Sequence, residues 1–249
     1  MVKMPDLDVQ AVDTMVYQHS DTTGFVTAMF LADSIKEQGG KIEKLVIPYV
    51  PGARQDRVNP TGDILFAAKG FADMINARKF SRVIILDPHS KVIAKKIKNS
   101  VQYPLAWVAE SLVPASHYTG IIAPDAGAGD RALKFATEFG LPVTLATKHR
   151  DVSTGALTDF MVTVKPGRYL VVDDICDGGG TFVGLGEKIM EQGAIADLYV
   201  THGIFSKGTR RLHELYKDIY TTDSLWQESE DRVITIPIVE RMIDYDTNV

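Results

Sequence analysis

Tyr169-Leu-Val-Val-Asp173-Asp174-Ile175-Cys176-Asp177-Gly178-Gly179-Gly180-Thr181 reads as an apolar strand that ends in two carboxylates, passes through a glycine run and opens a helix. Three glycines let the backbone take positive φ and bring its N–H groups close to an anion. Thr181 is expected to cap the helix, whose first turn adds partial positive charge. The result is a seat for a phosphate. Asp173 and Asp174 are acceptors that suit sugar hydroxyls. Phosphate on amides and hydroxyls on carboxylates is what ribose 5-phosphate requires. The spacing is neither a GxGxxG fingerprint nor a Walker loop, because no Gly-Lys-Ser/Thr follows. Taken alone, the same residues also describe a Gly-rich turn beside a solvated acidic pair.

Short apolar runs alternate with longer amphipathic ones on both sides of this loop. Before it, strands are expected at 12–17, 44–49, 82–86, 119–123 and 142–146. Helices are expected at 23–38, 64–77, 106–111 and 131–139, and a β-rich stretch at 160–164. The loop's own strand spans 169–172 and its helix 181–192. After it come strands at 198–201, 218–221 and 232–237, a helix at 209–215 and a short final helix. This rhythm argues for βαβ units, hence α/β architecture with mainly parallel sheets flanked by helices. A division near 103–120 gives two domains, 1–110 and 111–249.

A net charge of −5 and an isoelectric point near 5.7 give no basic footprint for nucleic acid or an anionic membrane. Anionic ligands must then be held by a few placed cations and backbone amides. Cys176 is the only cysteine, so no intrachain disulfide can form, which fits a cytoplasmic location. The start, MVKMPDLDVQ, lacks the apolar core of a signal peptide, and no apolar run approaches bilayer-spanning length.

Four further segments carry chemistry. Pro48-Tyr49-Val-Pro-Gly-Ala-Arg54-Gln55-Asp56-Arg57 offers arginine forks for phosphate oxygens and an amide able to read an adenine edge. Leu86-Asp87-Pro88-His89-Ser90 places a histidine at a strand end. Standing alone, His89 reads more readily as a satisfied structural residue, since Mg²⁺ prefers oxygen ligands. Ala123-Pro124-Asp125-Ala126-Gly127-Ala128-Gly129-Asp130-Arg131 combines small residues, a carboxylate suited to a metal and another fork, Arg131. Ala146-Thr147-Lys148-His149-Arg150 is a basic segment just past a strand, and in isolation a solvated basic hairpin.

Each segment is weak alone. In this order and spacing, together with the phosphate loop, they resemble the phosphoribosyl pyrophosphate synthetase family from about residue 10 onward. The loop at 173–181 also resembles the ribose-phosphate loop of type I phosphoribosyltransferases. The resemblance implies two type I phosphoribosyltransferase-like domains, the ATP side in the first and the ribose-phosphate loop in the second. It implies ATP binding by Arg54, Gln55, Asp56, Arg57, His89 and Arg131, and Mg²⁺ held by His89 and Asp125. Lys148 and Arg150 would be catalytic, stabilising the transferring pyrophosphoryl group. Asp173, Asp174, Asp177, Gly178, Gly179, Gly180 and Thr181 would hold the acceptor. Thr201-His202-Gly-Ile-Phe-Ser206 and Thr221-Thr-Asp223 also resemble family segments, read as structural or as lining the ribose loop. The implied reaction moves the β,γ-pyrophosphate of ATP to the 1-hydroxyl of ribose 5-phosphate, releasing AMP, in a homo-oligomer.

Two departures bear on substrate. The family's N-terminal Phe-Ser-Asp-Gly-Glu-like segment has no counterpart, which touches the adenine pocket and the assembly. Gly178 stands where the family has threonine, leaving room that suits a phosphodiester acceptor such as ADP-ribose, the substrate of some phage relatives. A catalytically silent regulatory subunit and a nucleobase phosphoribosyltransferase are the readings from other classes. Lys148, Arg150, His89 and Asp125 speak against the first, and the Arg-Gln-Asp and Asp-Pro-His segments against the second.

Overall fold

A computed structural model describes residues 8–56, 67–112, 115–150, 157–225 and 232–245. Arg57 lies outside them. The chain forms two compact units. One comprises residues 1–103, 224–226 and 239–249, the other 104–223 and 227–238.

The first unit holds a sheet of β1 (Thr14–Val16), β2 (Lys44–Ile47), β3 (Arg82–Leu86) and β4 (Ser100–Tyr103), parallel and in sequential order. The crossovers are α1 (Thr22–Glu37), α2 (Ala67–Ala77) and α3 (Lys91–Lys96). α1 starts where Asp21 accepts from the Gly24 N–H, and it buries Phe25, Met29, Ala32 and Ile35. That stripe and Ala68, Ala72 and Ile75 of α2 meet Leu45, Ile47, Val83 and Ile85 in one core. A short helix, α8 (Val239–Ile243), joins this unit, with Lys44 Nζ donating to the Ile243 carbonyl at 2.9 Å.

The second unit is built on a six-stranded sheet in the order β12-β11-β10-β9-β5-β6. These strands are β5 (Gly120–Ala123), β6 (Val143–Leu145), β9 (Arg168–Cys176), β10 (Ile195–Gly203), β11 (Ile219–Thr222) and β12 (Val233–Ile236), and every pairing is parallel. The helices are α4 (Leu105–Ala109), α5 (Gly129–Phe139), α6 (Gly180–Glu191) and α7 (Arg210–His213). α6 lays Phe182, Leu185 and Ile189 on the face carrying Val171, Leu198 and Val200. Tyr199, between Leu198 and Val200, must point the other way and meets Phe135 of α5 at 4.7 Å. Both faces are thus covered, and the strands are continuously apolar for that reason. A two-stranded antiparallel ribbon, β7 (Thr147–Arg150) with β8 (Leu157–Met161), completes the unit.

The α/β class with parallel sheets is as the sequence implies, and three local readings change. β9 does not stop at Val172. It runs to Cys176, with Asp173, Ile175 and Cys176 in register with Val200, His202 and Gly203 of β10. α3 and β4 carry no sequence signal of their own, since each buries a single residue, Ile93 and Tyr103. Thr181 is not the cap of α6. Gly179 is, at φ 75°, with no side-chain cap hydrogen bond, and Thr181 sits inside the first turn. A left-handed residue is needed there to turn strand into helix, and glycine adopts it without strain.

Candidate active site

In a parallel sheet all C-terminal strand ends lie on one edge. Ligands bind there, where neighbouring strands send their connections in opposite directions. In the second unit that point lies between β5 and β9. From β5 the chain moves outward to β6, and from β9 it moves the opposite way through β10 to β12.

The loop after β5 holds Asp125, whose carboxylate accepts from the Ala128 N–H at 3.2 Å and opens the turn Ala126–Ala128 leading into α5. Within the first turn of α5, Arg131 is buried, and its guanidinium reaches across to β9. Nη1 lies 3.2 Å from Asp173 Oδ1, and Nη2 lies 3.7 Å from Asp174 Oδ2. The sequence suggests a phosphate fork at Arg131; the structure brings it onto the acid pair instead. Asp173 also accepts from the Asp174 N–H at 2.9 Å. Burial, then the neighbouring Asp174 charge, push the Asp173 carboxyl well above the usual range, and Arg131 only partly offsets them.

Past Cys176, the residues Asp177, Gly178 and Gly179 turn the chain into α6. α1 and α3 begin with side-chain caps from Asp21 and Ser90, and α6 does not. Its first N–H groups therefore face outward without a side-chain acceptor, at the positive end of a 12-residue helix. The segment after β10 docks on this loop. The Ile204 and Phe205 N–H groups donate to the Cys176 carbonyl, at 2.8 and 3.0 Å. Ser206 Oγ donates to Asp177 Oδ1 at 2.5 Å. The Gly203 N–H donates to Thr221 Oγ1 at 2.9 Å, tying in the threonine turn.

β7 leaves the same edge. The Ala146 N–H donates to the Ala123 carbonyl at 2.9 Å, and β7 begins at the next residue. Lys148 and Arg150 therefore lie on the first strand of the ribbon, in register with Phe160 and Leu157.

In the first unit, adjacent strands place the residues expected to bind ATP. Arg54, Gln55 and Asp56 follow β2, and His89 follows β3. The loops are tied together where the Leu86 N–H donates to the Pro48 carbonyl at 3.1 Å. Arg54 and Gln55 are exposed, and Asp56 and Asp87 are buried. Asp87 holds φ 37° directly before Pro88, a strained turn for a non-glycine residue. Such strain persists only where the surroundings impose it, so the backbone leading to His89 is firmly set.

Among the described residues no group of three or more His, Cys, Asp and Glu is gathered as a metal cage. A single carboxylate such as Asp125 still fits Mg²⁺, which keeps several waters and binds through one or two carboxylates plus substrate phosphates. Lys207 belongs to no sequence motif, yet its aliphatic stem runs along Gly178. Its only signal is Gly208, which marks a turn. No helix among the described residues is long and apolar enough to cross a membrane.

No protein-family model matches the chain. Ribose-phosphate pyrophosphokinases of Pyrococcus abyssi, Pyrococcus furiosus and Saccharolobus solfataricus are 28%, 29% and 26% identical to it. The matches cover 97%, 80% and 94% of this chain and 85%, 73% and 81% of those proteins. Among solved structures, a phosphoribosylpyrophosphate synthetase from Mycobacterium smegmatis superposes with a TM-score of 0.81. It covers 96% of this chain and 83% of that one at 22% identity. The fold is common to both.

Proposed function

We propose that the chain, similar over most of its length to ribose-phosphate pyrophosphokinases, makes phosphoribosyl pyrophosphate, moving the β,γ-pyrophosphate of ATP to the 1-hydroxyl of ribose 5-phosphate and releasing AMP. The observation that carries this reading is the gathering of the Asp125–Arg131 loop, the Asp173–Asp174 pair and the uncapped α6 N-terminus at the reversal point of one sheet.

The N–H groups of Gly178 to Thr181 receive the acceptor's 5-phosphate. Asp173 and Asp174, held by Arg131, accept hydrogen bonds from the ribose hydroxyls and orient the anomeric oxygen. Asp173, with its raised pKa, is the better base of the two and takes the proton of the attacking hydroxyl. Arg54, Gln55, Asp56 and Arg57 bind ATP, and Arg131 braces the acceptor side. His89 in the first unit and Asp125 in the second are each assigned as Mg²⁺ ligands, and the ion would supply positive charge to the phosphates it meets. Lys148 and Arg150 cover that group and stabilise the charge spread over its oxygens in a loose transition state.

The test is to incubate the protein with MgATP and ribose 5-phosphate, or with ADP-ribose, and to measure AMP. The reading predicts AMP in proportion to ribose 5-phosphate consumed. ADP as the product, no turnover on either acceptor, or AMP only with ADP-ribose rejects it in favour, respectively, of an ordinary kinase, a silent subunit and the phosphodiester acceptor.

A further inference from the structure

The five residues 177–181 include no cation, yet a phosphomonoester brings a charge of about −1.5 to −2 at neutral pH. The turn after β10 supplies one. Its base is fixed at several points. The Ile204 and Phe205 N–H groups share the Cys176 carbonyl, Ser206 bonds Asp177, and the Gly208 N–H donates to the Phe205 carbonyl at 2.7 Å. Phe205 is buried and held at φ 47°, left-handed for a non-glycine residue. Its ring lies so close to Gly203 that a Cβ there would sit 2.2 Å from Cε2. Such a backbone is kept only by surroundings that over-determine it.

Lys207 projects from this anchored turn. A Cβ built on Gly178 would meet Lys207 Cδ and Cε at 3.5 Å and Cγ at 3.9 Å, its three nearest neighbours. The stem thus runs along the glycine, and the ammonium, one bond beyond Cε, stands beside the phosphate loop. A threonine at 178 would reach one bond past Cβ, into the path of that stem. The space left by the missing side chain is therefore lined by a cation.

We propose that Lys207 is a specificity-determining residue of the acceptor site. Its ammonium binds the acceptor's terminal phosphate over residues 177–181 and selects a doubly charged phosphomonoester over a singly charged phosphodiester. The attraction scales with the charge it meets, so a dianion gains about twice as much as a monoanion. This rests on the reading of loop 177–181 as the acceptor's phosphate seat.

Titration calorimetry with ribose 5-phosphate and with ADP-ribose, on wild type, Lys207→Met and Lys207→Arg, tests it, with AMP release followed in parallel. Methionine keeps the stem and removes the charge, and Lys207 is exposed, so the fold is undisturbed. The expected result is affinity for ribose 5-phosphate about 10-fold or more weaker in Lys207→Met, a smaller loss for ADP-ribose, and recovery in Lys207→Arg. Equal affinity in Lys207→Met and wild type, equal losses for both acceptors, or no binding of ribose 5-phosphate by wild type each overturns the inference. Binding that depends on Lys207 without any AMP release leaves the inference standing and removes the proposed reaction.

Discussion

The six-stranded sheet carries an arginine–carboxylate cluster at each edge, and the two differ in how tightly they close. At the N-terminal edge, Arg168 Nη2 lies 2.6 Å from both Asp197 Oδ2 and Asp218 Oδ2. Arg168 Nε reaches the same Asp197 oxygen at 3.0 Å, and Tyr118 donates to it at 2.8 Å. The Asp218 N–H takes the other oxygen at 3.3 Å, and the guanidinium sits 5.7 Å from the Tyr118 ring centre. Burial, followed by the Asp197 charge, pushes the Tyr118 hydroxyl far above its usual range, so it stays a donor. At the C-terminal edge one arginine faces two adjacent carboxylates at 3.2 and 3.7 Å, and like charges share a buried position. The first cluster is finished as it stands and holds strands together. The second keeps the electrostatic cost of two like charges held together, an arrangement often found at binding and catalytic sites.

The comparison can be broken at either pole. The largest effect is expected on the antiparallel ribbon, where Lys148→Ala or Arg150→Ala should lower kcat by roughly 10²- to 10³-fold with ATP affinity little changed. Steady-state AMP formation checks this, and near-normal turnover in both variants would remove the ribbon from the chemistry. At the N-terminal edge, Asp197→Ala should cost about 2 kcal/mol of stability, since Tyr118 loses its acceptor and Arg168 keeps only Asp218. A denaturant melt reads that loss, and activity per folded molecule should hold. Asp174→Asn should lower kcat/KM for the acceptor about 10- to 100-fold and leave the melt close to wild type.

A smaller effect is a pH dependence of unusual sign. The Asp173 carboxyl binds its proton more tightly folded than unfolded, so at pH above its folded pKa it destabilises the native state. That cost disappears as pH falls through the folded pKa toward the unfolded value of 3.8. Asp173→Asn should therefore melt higher than wild type at neutral pH, with the gap closing near pH 4. Matching melts across the range would contradict the raised pKa. Least of all, Cys176 should resist thiol reagents until unfolding, because burial pushes its thiol up to about 12.

The cluster at the C-terminal edge was legible because its residues lie in short motifs. A glycine run after paired aspartates, and small residues ahead of an arginine, each suggest an anion-binding turn from the local sequence. What stayed hidden depends on distance along the chain. Arg131 and Asp173 are 42 residues apart and Arg168 and Asp197 are 29 apart, so neither pairing leaves a local mark. Two carboxylates after Val172 look in sequence like a solvated turn, whereas pairing with β10 carries β9 past them to Cys176. Thr181 has the chemistry of a cap, but the left-handed backbone at Gly179 moves the helix start ahead of it. Lys207 escaped notice because a lone lysine after a turn is ordinary until the turn is seen resting on Cys176 and Asp177.

The most direct test of the account compares ribose 5-phosphate binding in Asp174→Asn and Asp197→Asn under conditions where both are folded. The account predicts that Asp174→Asn loses the ligand at an unchanged melting temperature, and that Asp197→Asn melts earlier yet binds as wild type does. Wild-type affinity in Asp174→Asn would contradict it.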